Sequence, residues 1–239
     1  MRSVFFGASS AQQPNSDYMI PAPLSAEQLR VLGCLIEKQF LTPDIYPLSL
    51  NAIVTACNQK TSREPVVSYD ERGVEETLAS LQSLGLSTRI TGADHRVPKY
   101  RELLSEKTGL RVSEIALLCV MMLRGPQTVN ELKERTNRIH EFADETEVAD
   151  TLQRLTQREP QILVVRIERQ PGFKEPRYMH LLAGPVTAAD VVSAISAPQP
   201  VRAAPQEDRL VRLETEVAAL KDQIAEIQRQ FADFRRQFE

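Results

Sequence analysis

Between residues 24 and 184 the chain runs twice through one order of elements: helix, extended piece, helix, loop, helix, hairpin. Few folds accept that order. It is plainest from Asp70 to Glu102, where Val74, Leu78, Leu81 and Leu84 recur at helical spacing and mark one buried stripe. Gly85 follows as a stop, because glycine takes the left-handed conformation that closes a helix. Leu86–Ile90 and Arg96–Tyr100 then read as two strands joined by a turn around Thr91–Asp94.

Upstream, Ser25 and Gln28 are spaced as a capping box ahead of Leu29, Leu32, Leu35 and Ile36, which share a face. The two prolines in Leu41–Pro47 favour extended backbone. Pro47 is expected in the first turn of a second helix that ends near Cys57. Asn58–Pro65 reads as a polar loop. In the second copy, Val112–Leu123 predicts a buried first helix, and Thr128 with Glu131 caps a short second one. Asp144 and Glu147 cap a third helix, with Val148, Leu152 and Leu155 inward. Ile162–Ile167 and Arg177–Leu182 form the closing hairpin. The sequence thus predicts a mainly α chain with small β hairpins, an α+β class. It is built as two tandem winged-helix domains, 24–107 and 108–184.

The flanks have a different character. Residues 1–23, rich in Ser, Gln, Asn and Pro, read as a disordered leader, and 185–207 as a Pro/Ala-rich linker. Over 208–239, Leu210, Leu213, Val217, Leu220, Ile224, Ile227, Phe231, Phe234 and Phe238 alternate steps of three and four, which is a heptad repeat. Arg209 would meet Glu214, and Glu216 would meet Lys221, across a parallel dimer. A single amphipathic helix folded back on its own chain is the alternative.

Tyr46-Pro-Leu-Ser-Leu-Asn51, then Ala56-Cys-Asn-Gln-Lys60 and Ser62-Arg-Glu-Pro65, resembles the signature of the YceH family of bacterial proteins. The resemblance covers about residues 24–184 and implies tandem winged-helix domains. It implies no reaction.

Catalysis has little support. His95, His140 and His180 show no metal-pair spacing, and no Walker loop, nucleophile elbow, CxxC pair or HExxH is present. The expectation is a non-enzymatic chain without cofactor or metal. Cys34, Cys57 and Cys119 are odd in number and far apart, as in reduced core thiols of a cytosolic protein. No run approaches the ~20 apolar residues that span a bilayer.

Duplex DNA is the default partner of a winged helix, yet the net charge is −3, from 29 basic and 32 acidic side chains. The third helices begin Asp70-Glu-Arg-Gly-Val-Glu-Glu76 and Asp144-Glu-Thr-Glu147, sequences that would face phosphates with carboxylates. Positive charge gathers elsewhere. Asn58, Gln59, Lys60, Ser62 and Arg63 lie in the signature loop; Arg89, Arg96, Lys99 and Arg101 line the first hairpin; Arg166, Arg169, Lys174 and Arg177 line the second. These are the candidate contacts to phosphate or to a partner. The bland alternative is that strand basics are solvated and discourage edge pairing. A protein-interaction scaffold competes with DNA binding, since the domains are near neutral and the tail would set valency.

The heptads carry a direct test. Removing residues 208–239 is expected to convert a dimer to a monomer by light scattering, and an unchanged mass would reject the coiled coil.

Overall fold

The computed structural model of the chain describes residues 18–21, 23–91, 97–169 and 175–185. Over that range the protein is mainly α-helical with small antiparallel sheets. The first copy of the repeated order is α1 (Ala26–Leu41), β1 (Leu48–Ser49), α2 (Leu50–Cys57), α3 (Glu71–Ser83), β2 (Ser87–Ile90) and β3 (Lys99–Glu102). A short α4 (Leu104–Thr108) leads to the second, α5 (Val112–Arg124), α6 (Val129–Thr136), α7 (Glu145–Thr156), β4 (Val164–Ile167) and β5 (Arg177–His180). Among the described residues no helix is long and apolar enough to cross a membrane. The expected coiled coil lies outside the described residues, as does the expected linker beyond Pro185.

Side-chain caps fix the helix starts. Ser25 and Gln28 form the reciprocal box at α1, and Thr128 with Glu131 does the same at α6. Asp70 and Asp144 cap α3 and α7 by accepting from Gly73 N and Glu147 N. At the end of α3, Gly85 takes φ +69°, so Leu86 N reaches Leu81 O at 2.8 Å and Gly85 N reaches Gln82 O at 2.9 Å. This Schellman closure satisfies orphan carbonyls and turns the chain straight into β2.

Two strand-level details depart from expectation. Pro47 does not enter a helix; it precedes β1, whose Leu48 pairs opposite Tyr100, and α2 starts only after its cap Ser49. The first sheet is therefore three-stranded, in the order β1-β3-β2. In the second copy a lone bridge takes the place of β1. Gln127 N donates to Tyr178 O at 3.0 Å, and Tyr178 N returns to Gln127 O at 2.7 Å. The end of the expected leader is also folded. Ile20 is buried, and the Gln161 amide clamps its backbone on both sides, at 2.7 and 3.1 Å. An apolar side chain with a seat in the core outweighs the low-complexity composition around it.

The described residues share one core. Its seam is α1 against α5, and both helices are buried nearly all round, from Leu29 to Ile36 and from Glu114 to Leu123. Gly33 permits the close approach. A Cβ built there would stand 2.9 Å from Leu123 Cδ2 and 3.3 Å from Met122 Cβ. Cys119 Sγ donates to the Gly33 carbonyl at 3.4 Å in the same seam. All three cysteines are buried free thiols.

Gly33→Leu is accordingly expected to force the two helices apart and to cost about 1–3 kcal/mol or more of stability. A urea melt of the full chain reads the loss, and an unchanged midpoint would contradict the seam.

Candidate functional site

The signature loop, residues 58–65 between α2 and α3, is held from behind by buried polar groups. Asn58 turns inward: its Nδ2 donates to Tyr69 O and its Oδ1 accepts from Tyr69 N, both at 2.8 Å. The Arg63 side chain is fully buried. Its Nε donates to Ala56 O at 3.0 Å, and its two terminal nitrogens grip the Glu37 carboxylate at 3.0 and 2.6 Å. Arg30, on α1, donates to Cys57 O at 3.0 Å and to Pro65 O at 2.6 Å. Glu64 N donates to Leu123 O at 2.8 Å, so the loop also rests on α5. Tyr46, from the first part of the signature, accepts from Glu102 N at 2.8 Å and steadies β3.

Electrostatics accord with this anchoring. Burial alone would raise the Glu37 carboxyl, but hydrogen bonding and charge from Arg63, with Lys38, outweigh it and hold Glu37 below the usual carboxylate range. The guanidinium of Arg63, opposed by burial and favoured by Glu37, is held more firmly protonated than usual.

Arg63 is therefore corrected from a phosphate contact to a structural anchor, because none of its side chain reaches solvent. Arg177 is corrected in the same way. It is buried and reaches Glu131 Oε2 at 2.7 Å and Pro126 O at 2.8 Å. Asn58 is taken up by Tyr69. Arg101 is half-buried and paired with Glu106. Register divides the rest. Lys99 stands opposite Ile90 and Arg101 opposite Thr88, whereas Arg89 stands opposite Tyr100, on the other face of the sheet. Arg166, opposite Tyr178, likewise lies across the sheet from Arg177. The hairpin basics do not form one stripe. Arg96 and Lys174 lie outside the described residues.

What the fold does bring together is a cleft of about 280 Å³ on the outer side of the loop. The end of α1 supplies Lys38 and Thr42, and the loop supplies Gln59, Lys60, Thr61 and Ser62. Arg138, from the turn after α6, closes it from the second copy. Three cations thus line it with one carboxylate, Glu37, whose two oxygens Arg63 already engages. Ser62 is held at φ +61°, a left-handed conformation that a non-glycine residue adopts only under constraint. Arg124, outside this lining, is held below its ordinary range, by burial first and then by the charges of Arg135 and Arg63. The sequence pattern marks Gln59, Lys60 and Ser62 for this surface but not Lys38 and Arg138, which share no local pattern with the loop.

The acidic starts of α3 and α7 have local uses. Besides the two caps, Glu147 accepts from Ala143 N at 2.8 Å and Glu76 pairs with Arg72 at 2.9 Å.

Sequence comparison places this architecture in a known group. Residues 24–173 match a family model described as "Protein of unknown function, DUF480". A UPF0502 protein of Solibacter usitatus (strain Ellin6076) is 52% identical over 167 residues, covering 70% of this chain and 79% of that protein. One from Opitutus terrae (strain DSM 11246 / JCM 15787 / PB90-1) is 46% identical over 187 residues, covering 78% and 80%. UPF0502 protein YceH of Salmonella newport (strain SL254) is 49% identical over 167 residues, covering 68% and 78%. The chain belongs to this YceH family, the one its signature segment resembles.

Arg63→Ala would remove the main partner of the Glu37 carboxylate and leave it only Lys38 at 3.5 Å, a loss of up to about 3–5 kcal/mol. The folded-state pKa of Glu37 lies below its unfolded value. The stability from the pair is therefore complete above the ordinary carboxylate range and lost as pH falls through the folded value. Urea melts should show the gap between wild type and Arg63→Ala narrowing on acidification; a gap independent of pH would contradict the pairing.

Proposed function

We propose that this chain is a non-enzymatic protein of two winged helices that binds duplex DNA through backbone phosphates, in a regulatory or architectural role. The third helices do not read the groove in the usual way. Their N-terminal parts carry Glu71, Glu75 and Glu76, and Glu145 and Glu147, after capping aspartates, and carboxylates there would meet phosphates on both sides. Binding falls to the cations that the fold leaves over. Lys60, Arg89, Lys99, Arg138 and Arg169 make no ion pair among the described residues, whereas Arg63 and Arg177 are consumed inside. That separation of structural from unspent arginine and lysine carries the proposal, because phosphate affinity needs several cations free to displace counterions. Dimerisation through 208–239 would double the set of phosphates engaged, and the reduced core thiols suit a cytoplasmic protein.

One observation favours a protein-docking scaffold instead. A groove of about 410 Å³ beside the start of α7 combines Val129, Ala149 and Pro176 with Glu145 and Glu175. It would repel a phosphate and accept a basic peptide.

Duplex affinity of the full chain is expected to fall linearly in log–log form with salt. Lys60→Glu with Lys99→Glu should weaken it by roughly tenfold or more and flatten the slope by about 1 for each phosphate no longer neutralised. Absence of duplex binding at low salt by well-folded protein would overturn the DNA assignment. A stoichiometric protein partner that survives nuclease treatment would favour the scaffold.

A further inference from the structure

We propose that the cleft between the end of α1, the rim of the signature loop and Arg138 is a phosphate-binding site. The proposal does not require that the chain bind DNA. Its donors suit a tetrahedral dianion better than a planar carboxylate. The Lys38 and Lys60 ammoniums, the Arg138 guanidinium, the Gln59 amide and the Thr61 and Ser62 hydroxyls surround one space. Thr42 adds less, because its hydroxyl already donates to Lys38 O at 3.1 Å. Leu41 is the one aliphatic residue of the lining, and every other lining residue carries a polar or charged group.

The single carboxylate in the wall does not cancel this charge. Arg63 takes both Glu37 oxygens from the buried side, and Lys38 Nζ adds a salt bridge to Oε2 at 3.5 Å, so two cations already compensate this one carboxylate. A cleft whose one carboxylate is neutralised from within, and whose Lys60 and Arg138 have no carboxylate partner among the described residues, is completed by an anion from solution.

The rim is also built before any ligand arrives. Asn58, Arg63 and Pro65 anchor the loop to Tyr69, Ala56 and Arg30, and Glu64 N ties it to Leu123. Ser62, between these anchors, keeps its left-handed backbone. Little backbone ordering is left to oppose binding. Because Arg138 comes from the second copy and the other donors from the first, the site exists only where the two copies meet.

A phosphate group has two sources, a nucleic-acid backbone and a free phosphoryl compound, and one experiment separates them. Inorganic phosphate is titrated into the full chain by calorimetry, with ionic strength held constant by chloride. Saturable binding is expected, weakened roughly tenfold by Lys60→Ala or Arg138→Ala and retained in part by Arg138→Lys. Arg72→Ala, on the exposed face of α3 and outside the cleft, should leave it unchanged. If phosphate also displaces a bound duplex, and the two cleft variants weaken both, the seat belongs to a backbone phosphate. If phosphate binds while the duplex stays bound or never binds, the site serves a free phosphoryl ligand. No saturation beyond the chloride control, or affinity indifferent to Lys60 and Arg138 in variants with wild-type melting curves, would overturn the proposal whatever the duplex result.

Discussion

The ion pair between Arg63 and Glu37 organises the surface that matters. A buried pair of this kind adds little net stability, since desolvating two ions offsets most of their attraction. Its effect is geometric. The guanidinium is flat and forked, so it fixes the Glu37 carboxylate, the Ala56 carbonyl and its own neighbour Ser62 in one arrangement. That arrangement sets where the loop leaves α2 and which of its side chains point outward. The result is a division of labour within a few residues. Asn58 and Arg63 hold the loop, and Gln59, Lys60, Thr61 and Ser62 form its exposed rim.

The two copies of the fold are not equivalent around this feature. Both present a first helix to the shared seam, α1 and α5, and both follow it with a strand-like pairing, a capped helix, a third helix and a hairpin. The long loop between α2 and α3 has a shorter counterpart between α6 and α7, and it is that shorter turn that lends Arg138 to the cleft. The loop's tether from Glu64 to the end of α5 crosses the same seam. Packing between the copies thus does more than enlarge the core. It brings cations distant in sequence to one opening, although each copy carries almost no net charge.

The fold is legible in the sequence where the governing physics is local. Caps at Ser25, Thr128 and Asp144 and the closure at Gly85 depend on a few neighbouring residues, and the structure has each of them. The extra strand at Leu48 and the helix at Leu104–Thr108 are not legible. The first exists because Tyr100 is there to pair with it; in the second, Glu102 accepts from Ser105 N at 3.0 Å, a cap offset from the usual spacing. The site is half legible. Six polar residues in a row, 58–63, mark a surface with no core to fill, yet Arg63 enters the core because Glu37 waits there with two oxygens to satisfy. Sequence spacing likewise cannot say that Arg89 and Lys99 lie on opposite faces of one hairpin, since that follows from register.

If the loop rim rather than the third helices meets the ligand, backbone amide shifts during titration with a short duplex will show it. The largest changes are expected at residues 59–62, at Lys38 and at Arg138, with the first turns of α3 and α7 little affected. Changes concentrated at Glu71–Glu76 and Glu145–Val148, with the rim silent, would place binding on the third helices and refute the rim.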